Sequence, residues 1–216
     1  MIRDMSDLED EKRLAAEAAA QLVEPGQLVG LGTGSTVAHL LPALARRELA
    51  GVRCVATSPA TEVTARALGL RVEAFEGLDR LDIAIDGTDQ VTPDRWLVKG
   101  GGAAHTREKV VAAASDRFVV IAGSDKPVDA IRAPVPLELL AYGLESTLRE
   151  LAEVALRDVP RSPDGGVIAD YLGPVGDPAD LAARLDAVPG VVAHGLFPPG
   201  LVSDVLVASG GEVRSV

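Results

Sequence analysis

The chain has 216 residues, of which 47% are hydrophobic and 25% are charged, and its formal net charge is -11. This length and apolar content suffice for one substantial core, or for a main domain that carries a smaller one. A negative net charge without a long run of like charges argues against a broad surface for nucleic acid or anionic membranes. Aromatic residues make up only 3% of the chain, which also disfavours a base-stacking surface.

The N-terminal stretch MIRDMSDLEDEKRLAAEAAAQLV is charged and amphipathic, unlike the basic start and apolar core of a secretory signal. The sequence contains no apolar stretch near the ~18 residues that a membrane span requires. We therefore expect a cytoplasmic protein that binds neither membranes nor nucleic acid. The single cysteine, Cys54, lies in the apolar run VRCVAT and is predicted to be a small buried residue.

Strand-length apolar runs alternate with alanine- and leucine-rich helical stretches, which is the pattern of parallel βαβ units. Helices are predicted near residues 8–23, 36–49, 59–68 and 107–115. The predicted strands are, in chain order, QLVGLG, VRCVAT, RVEAF, LDIAIDG, RWLVKG and FVVIAG. This order predicts an α/β fold with a doubly wound, mostly parallel sheet.

Beyond Pro134 the segments become shorter, with predicted strands at APVPLELLAYG, GGVIADYLG and GVVAHGLF. Helices are predicted between them, near residues 145–156 and 179–188, and DVLVASGGEVRSV follows. The β-α-β-α-β order predicts a small α+β, ferredoxin-like subdomain inserted before the last strands rejoin the main sheet. We place the main domain at residues 1–131 plus 205–216 and the insert at residues 132–204.

The first motif whose residues could bind a ligand is GLGTGSTVAHLL, residues 30–41, where a predicted strand ends in glycines and hydroxyl residues before a helix. Backbone N–H groups at a helix start bind phosphate, aided by the helix dipole, and Thr33, Ser35 and Thr36 add hydroxyl donors. The motif lacks the Gly-Lys-Ser/Thr end of a Walker A loop and the glycine spacing of a dinucleotide site. A tight turn with Ser/Thr caps is the alternative interpretation.

The second motif is LDIAIDGTDQV, in which Asp86 ends an apolar run and Asp89 follows three residues later. Open α/β sheets bind ligands at the carboxyl ends of their strands, so two carboxylates there could move protons on substrate hydroxyls. An Asp-Gly turn with a local cap explains the same residues without a function.

The third motif is LVKGGGAAHTREKVVAAAS, residues 97–115. Consecutive glycines directly after Lys99 suggest that another group must approach the backbone closely. Thr106 is predicted to cap a helix whose first turn contains Glu108, and an acid is favoured there whatever its function. Glu108 is therefore either a helix-start acid or the base of an active site. In a doubly wound sheet all three motifs would meet at one sheet edge.

The sequence resembles the type A family of ribose-5-phosphate isomerases. The resemblance runs over nearly the whole chain and is carried, in family order, by GLGTGSTVAHLL, DGTDQV, KGGGAAHTREKVVAAAS, IAGSDKPVD, PVPLEL and VPGVVAHGLF. It implies a Rossmann-like domain with a small α+β lid, assembly as a homodimer or homotetramer, and neither a metal nor an organic cofactor. The implied reaction interconverts ribose 5-phosphate and ribulose 5-phosphate through an enediolate.

The resemblance also implies roles for individual residues. Glu108 matches the base that moves a proton between C1 and C2, and Lys99 matches the cation beside the enediolate oxygen. Asp86 and Asp89 match the acids associated with ring opening and with proton transfer on the sugar hydroxyls. The substrate- and phosphate-binding set comprises Thr33, Gly34, Ser35, Thr36, Gly100, Gly101, Gly102, Lys126 and Lys12.

The chain departs from the family pattern at Gln90, where a glutamate is usual, and at His105, where an apolar residue is usual. His105 is either a packed histidine or a pH-sensitive group at the rim of the site. The segment VIADYLGPV lacks the Asn-Gly-Asn run common in the family.

Two other classes share these features. Sugar-phosphate sensing domains of transcription regulators have a similar fold, but this sequence shows no DNA-binding segment and retains Lys99 and Glu108. Amino-sugar-phosphate deaminases share the phosphate loop and an acidic base.

Overall fold

The computed structural model describes residues 5–216. Contacts divide them into a larger unit, residues 5–88, 107–127 and 200–216, and a smaller unit, residues 89–106 and 128–199. The helices are α1 Met5–Ala20, α2 Ser35–Ala45, α3 Pro59–Ala67, α4 His105–Ala113, α5 Leu144–Leu151 and α6 Pro178–Asp186. The strands are β1 Leu28–Leu31, β2 Arg53–Ala56, β3 Ile83–Gly87, β4 Gln90–Val91, β5 Leu97–Val98, β6 Phe118–Gly123, β7 Val135–Leu139, β8 Val154–Leu156, β9 Val167–Tyr171, β10 Val191–His194, β11 Leu196–Phe197, β12 Asp204–Ser209 and β13 Glu212–Ser215.

The larger unit is built on a six-stranded sheet with the strand order β13-β12-β6-β3-β1-β2. Neighbouring strands from β2 to β12 pair in parallel, and only β13 is antiparallel. This arrangement confirms the predicted, mostly parallel sheet. The hairpin between β12 and β13 turns through Gly210 and Gly211, whose φ angles of 59° and 85° suit the two-residue turns that join antiparallel strands.

The core of the larger unit lies between the sheet and its helices. Small residues on one face of α1, among them Ala16 and Ala19, are fully buried and allow the helix to pack closely. They share a cluster with Leu40 and Leu44 of α2 and with Ile83 of β3. This face of α1 is apolar, whereas its other face is charged, as the amphipathic sequence predicts.

The smaller unit contains an antiparallel sheet with the strand order β10-β7-β9-β8. Helix α5 lies in sequence between β7 and β8, and α6 lies between β9 and β10. The β-α-β-β-α-β order confirms the predicted ferredoxin-like topology. Its core combines buried residues of β7, β9 and α6, including Leu137, Ala169 and Leu181.

The smaller unit also contains a second sheet, in the order β11-β5-β4. This sheet includes residues that the predicted domain boundaries place in the main domain. We expected residues 89–106 in the main domain, but they group with the smaller unit. The reason is pairing over a long sequence distance, because β5 is hydrogen-bonded to β11. The predicted strand GVVAHGLF is consequently two strands in two sheets, β10 and β11.

Two other predicted elements are wrong. The segment RVEAF forms only an isolated bridge between Val72 and Cys54, because a turn closed by the Leu78 N–H and the Phe75 carbonyl (3.0 Å) follows at once. The helix predicted near residues 145–156 ends at Leu151, and a short strand, β8, replaces its last turn. Within residues 5–216, no helix is both long and apolar enough to cross a membrane.

Candidate active site

The phosphate-loop motif lies in the larger unit, between β1 and the N-terminus of α2. Gly34 caps this helix with a φ of 124°, in the left-handed region that favours glycine. Gly34 and Ser35 are exposed, whereas Thr36 is buried. N–H groups at the start of an α-helix can bind an anion, and α2 is an 11-residue helix, so anion binding at this loop stays a prediction.

Thr33 connects this loop to Asp86, although the two are 53 positions apart. The backbone N–H of Thr33 donates to Asp86 Oδ1 at 3.1 Å. Its hydroxyl lies 2.8 Å from Thr57 Oγ1 and 3.4 Å from Thr61 Oγ1. The structure therefore brings Thr33 and Asp86 together and gives the Thr33 hydroxyl partners within the protein.

Asp86 is at the carboxyl end of β3 and is only 3% exposed. Its Oδ1 accepts hydrogen bonds from Thr33 and from the Gly87 N–H at 2.7 Å. A Cβ at Gly32 would lie 1.9 Å from the same oxygen. Glycine at position 32 therefore makes room for the Asp86 carboxylate. Sequence reasoning attributed this glycine to a turn and did not link it to Asp86.

Glu108 lies in the first turn of α4 and is only 4% exposed. Val111, three positions later on the same helix face, is also buried. A Cβ at Gly30 would lie 2.5 Å from Val111 Cγ1, so glycine allows α4 to approach β1 closely. An acid that only stabilises a helix start is normally solvated, whereas Glu108 is on the inner face of the helix.

The predicted phosphate-binding lysines lie on α1 and on the loop after β6. Lys12 Nζ is 2.6 Å from Glu9 Oε1, and hydrogen bonds from Lys12 and then His39 lower the pKa of Glu9. Lys126 Nζ is 3.0 Å from Asp125 Oδ2. The loop that carries Lys126 is tied to α1, because Glu11 accepts hydrogen bonds from the Ser124 N–H at 2.9 Å and from its hydroxyl at 2.6 Å.

In the smaller unit, Lys99 follows β5 and is 2% exposed. Its backbone N–H donates to the Gly195 carbonyl at 2.8 Å, and its Nζ lies 5.6 Å from the centre of the Phe197 ring. A Cβ at Gly195 would lie 2.2 Å from the Lys99 carbonyl oxygen. Gly195 and Phe197 position this lysine. Their only signal in the sequence is that both lie in the family motif VPGVVAHGLF.

Asp89 and the glycine loop also meet within the smaller unit. The Gly101 N–H donates to Asp89 Oδ2 at 2.8 Å, and a Cβ at Gly101 would lie 2.8 Å from Oδ1. Gly100 has a φ of 113°, which favours glycine. Gly101 and Gly102 are exposed to solvent. The sequence suggested that these glycines admit a ligand. The structure adds a second reason, because Gly101 also admits the Asp89 carboxylate.

Thr106 does not cap α4, which begins one residue earlier at His105. The Thr106 hydroxyl donates instead to the carboxylate of Glu138, which is 2% exposed and also accepts from the Ser162 hydroxyl. His105 is fully buried, and a Cβ at Gly100 would lie 2.7 Å from its Nδ1. This burial favours the packed histidine over a group at the rim.

The candidate residues thus form one set in each unit. The larger unit contains the helix-start loop, Asp86, Glu108 and both lysines of the predicted phosphate set, and the smaller unit contains Asp89, Lys99 and the glycine loop. Among the described residues, no group of three or more His, Cys, Asp or Glu side chains is arranged to hold a metal ion.

The fold and these motifs define a class, namely α/β proteins with a mostly parallel sheet, a glycine-containing loop at a helix start and a buried carboxylate, that of Asp86, at the carboxyl end of a strand. Residues 53–212 match the family model of ribose 5-phosphate isomerase A, also called phosphoriboisomerase A. Ribose-5-phosphate isomerase A of Caulobacter vibrioides (strain NA1000 / CB15N) is 46% identical over 204 residues, covering 88% of this chain and 90% of that protein. The chain belongs to the ribose 5-phosphate isomerase A family, as its sequence motifs predicted.

Solved structures agree with this assignment. Ribose 5-phosphate isomerase A from Neisseria gonorrhoeae superposes with a TM-score of 0.93 at 28% identity, covering 99% of this chain and 98% of that chain. A D-ribose-5-phosphate isomerase in complex with phospho-erythronic acid gives a TM-score of 0.89 at 30% identity, covering 97% and 98%.

Proposed function

We propose that this protein interconverts ribose 5-phosphate and ribulose 5-phosphate through an enediolate intermediate. The observation that carries the proposal is the burial of both reactive groups of the family motif, Lys99 at 2% exposure and Glu108 at 4%. Burying an ionisable side chain is costly, and such groups concentrate at functional sites. The bound phospho-erythronic acid of one relative supports the substrate class, because that ligand is also a phosphorylated sugar derivative.

Glu108 is proposed to take the proton from the carbon next to the carbonyl group and to return it to the neighbouring carbon. Removal of this proton leaves negative charge on the carbonyl oxygen, which Lys99 is proposed to stabilise. A positioned base and a preorganised cation each contribute on the order of 10²–10³ in rate. The remaining catalytic effect comes from holding the small substrate in one orientation.

Asp86 and Asp89 are proposed to move the protons of ring opening and of the sugar hydroxyls. The hydrogen bonds from Thr33 to Asp86 and from Gly101 to Asp89 support this role, because they fix one oxygen of each carboxylate. A carboxylate accepts a proton when it is ionised and donates one when it is protonated, so a carboxylate held in one orientation can transfer protons in both directions.

The phosphate of the substrate is proposed to bind at the start of α2, with Ser35, Thr36, Lys126 and Lys12 as further ligands. The exposure of Gly34 and Ser35 at the start of α2 supports this location. The family resemblance also supports assembly as a homodimer or homotetramer in the cytoplasm. Light scattering on the purified protein measures the number of subunits.

The test is incubation of the purified protein with ribose 5-phosphate, followed by a colour assay for the ketose. We expect turnover without added metal and with a chelator present. Loss of turnover on chelation, restored by a divalent ion, would contradict the metal-free mechanism. A parallel ammonia assay with glucosamine 6-phosphate distinguishes an isomerase from a deaminase, because only the deaminase releases ammonia.

A further inference from the structure

An arginine of the smaller unit, outside every motif singled out in the sequence, contacts the glycine loop. Arg157 directly follows β8, and its Nη1 donates to the Gly100 carbonyl at 2.8 Å and to the Gly101 carbonyl at 3.3 Å. The other two nitrogens of the guanidinium bind one carboxylate: Nε is 2.7 Å from Asp170 Oδ2, and Nη2 is 2.5 Å from Oδ1.

The Arg157–Asp170 pair is well fixed. The two side chains are only 18% and 19% exposed, and both residues lie on or beside strands β8 and β9, which pair with each other. The Arg157 backbone N–H also donates to the Ile168 carbonyl at 3.0 Å. The hydrogen bonds to Asp170 raise the pKa of Arg157, so the guanidinium stays cationic. A two-point Arg–carboxylate bond fixes orientation as well as position.

The peptide unit between Gly100 and Gly101 is therefore held at both ends. Its carbonyl accepts from Arg157 at 2.8 Å and from the Ala103 N–H at 3.0 Å, and its N–H donates to Asp89 at 2.8 Å. Glycine peptides have little intrinsic preference for one orientation, because no side chain restricts φ. If this peptide rotated, the N–H would turn away from the Asp89 carboxylate.

We propose that Arg157, oriented by Asp170, is a positioning residue that fixes the Gly100–Gly101 peptide and, through its N–H, the carboxylate of Asp89. No hydrogen bond joins the guanidinium to Asp89, although the charge of Asp89 contributes to the raised pKa of Arg157. Because Arg157→Lys retains the positive charge, that variant isolates the effect that passes through the peptide. This role rests on the proposed isomerase function, in which Asp89 transfers protons of the sugar. The contacts that define it lie entirely within the smaller unit.

The first test replaces Arg157 and measures turnover. Arg157→Lys retains the charge, but a lysine cannot bind a carboxylate at two points and reach two carbonyl oxygens. We expect kcat/KM to fall by about 10–100-fold, mainly through kcat, because small displacements of catalytic groups cost rate rather than phosphate affinity. Asp170→Asn should give a smaller loss in the same direction. Arg157→Met is the stronger variant, provided that it folds.

Arg161→Met is the matched control. Arg161 lies in the same unit, is exposed, and also donates to a glycine carbonyl, that of Gly165 at 3.1 Å. We expect this variant to keep the turnover of the wild-type protein. An equal loss in the Arg157 and Arg161 variants would show that arginine replacement in this unit acts through stability.

The second test asks whether the effect passes through Asp89. In an Asp89→Asn background, Arg157→Lys should lower kcat/KM by less than about 3-fold, because residues that act as a unit are non-additive. The same 10–100-fold loss in both backgrounds would overturn the proposed route.

A third measurement does not depend on turnover. Amide hydrogen exchange of Gly101, followed by NMR after labelling with ¹⁵N-glycine, should be faster by about tenfold or more in Arg157→Lys than in the wild-type protein or in Arg161→Met. An unchanged Gly101 amide would overturn the positioning role. If the wild-type protein lacks isomerase activity, the proposed function fails, while this measurement still decides whether Arg157 holds the loop.

Discussion

The carboxylate of Asp86 occupies the space that a side chain at position 32 would require. A Cβ at Gly32 would lie 1.9 Å from Asp86 Oδ1 and 2.5 Å from its Cβ, so rotation of the carboxylate alone cannot relieve the clash. The same Oδ1 accepts the Thr33 N–H at 3.1 Å. The conformation at the start of the loop between β1 and α2 and the orientation of Asp86 therefore depend on each other.

Gly32→Ala should displace Asp86 and break its hydrogen bond to Thr33. We expect a loss of stability of about 1–3 kcal/mol from overpacking, and a fall in kcat/KM of about 10-fold or more, because Asp86 is a proposed catalytic group. Urea unfolding and the ketose assay measure the two effects.

Gly200→Ala is the control for this substitution. Gly200 belongs to the same unit, does not have a positive φ, and has no atom within 4 Å of the position of an added Cβ. This variant should match the wild-type protein in both assays. If Gly32→Ala also matched the wild-type protein in both assays, the close packing of Asp86 would have no consequence for stability or turnover.

Glu108→Gln tests the proposed base directly. The substitution keeps the shape of the side chain but removes the proton acceptor, so kcat should fall by ~10²–10⁴ while KM changes little. A helix-start acid would instead lose only about 0.3–1 kcal/mol of stability, with activity retained well below the melting temperature. Kinetics and a thermal melt on the same preparation distinguish these outcomes.

Lys99→Met is the companion variant, because it removes the proposed cation beside the enediolate and should also lower kcat. A folded Glu108→Gln protein that binds substrate and turns over at nearly the wild-type rate would disprove the mechanism, whatever the family.

Substitutions in the proposed phosphate site should affect KM more than kcat. Ser35→Ala, Thr36→Ala and Lys126→Ala each remove a group that is proposed to hold the phosphate equally in the ground state and the transition state. Steady-state kinetics on the three variants provide the measurement. Three unchanged KM values would show that the phosphate binds elsewhere.

Cys54 should be unreactive in the folded protein. It is fully buried in β2, and burial, with a smaller contribution from the charge of Glu73, raises the pKa of its thiol to about 12. Thiolate is the reactive form, and its fraction falls as the pKa rises above the pH, so a disulfide reagent at pH ~8 should modify the native thiol very slowly. In urea, which unfolds the protein, one thiol per chain should react with the reagent. Rapid modification of the native protein at the same pH would contradict the burial.

The sequence alone determined the features that depend on local pattern. The run FVVIAG was predicted as a strand and is β6, because it is apolar throughout and lies in the middle of a parallel sheet, buried on both faces. The same logic predicted the mostly parallel sheet, the buried Cys54 and the helix that contains Glu108. The family motifs were recognisable because each is continuous in the chain.

The tertiary structure decided which distant groups meet. Backbone N–H groups and carbonyls have no sequence signature for their partners, so the bond between Thr33 and Asp86, 53 positions apart, and that between Arg157 and Gly100, 57 positions apart, could not be predicted. The same limit applies to the pairing of β5 with β11, which could not be predicted. Residues 89–106, which include β5, belong to the smaller unit. Short strands gain most of their stability from such partners, so their existence depends on contacts that only the folded chain supplies.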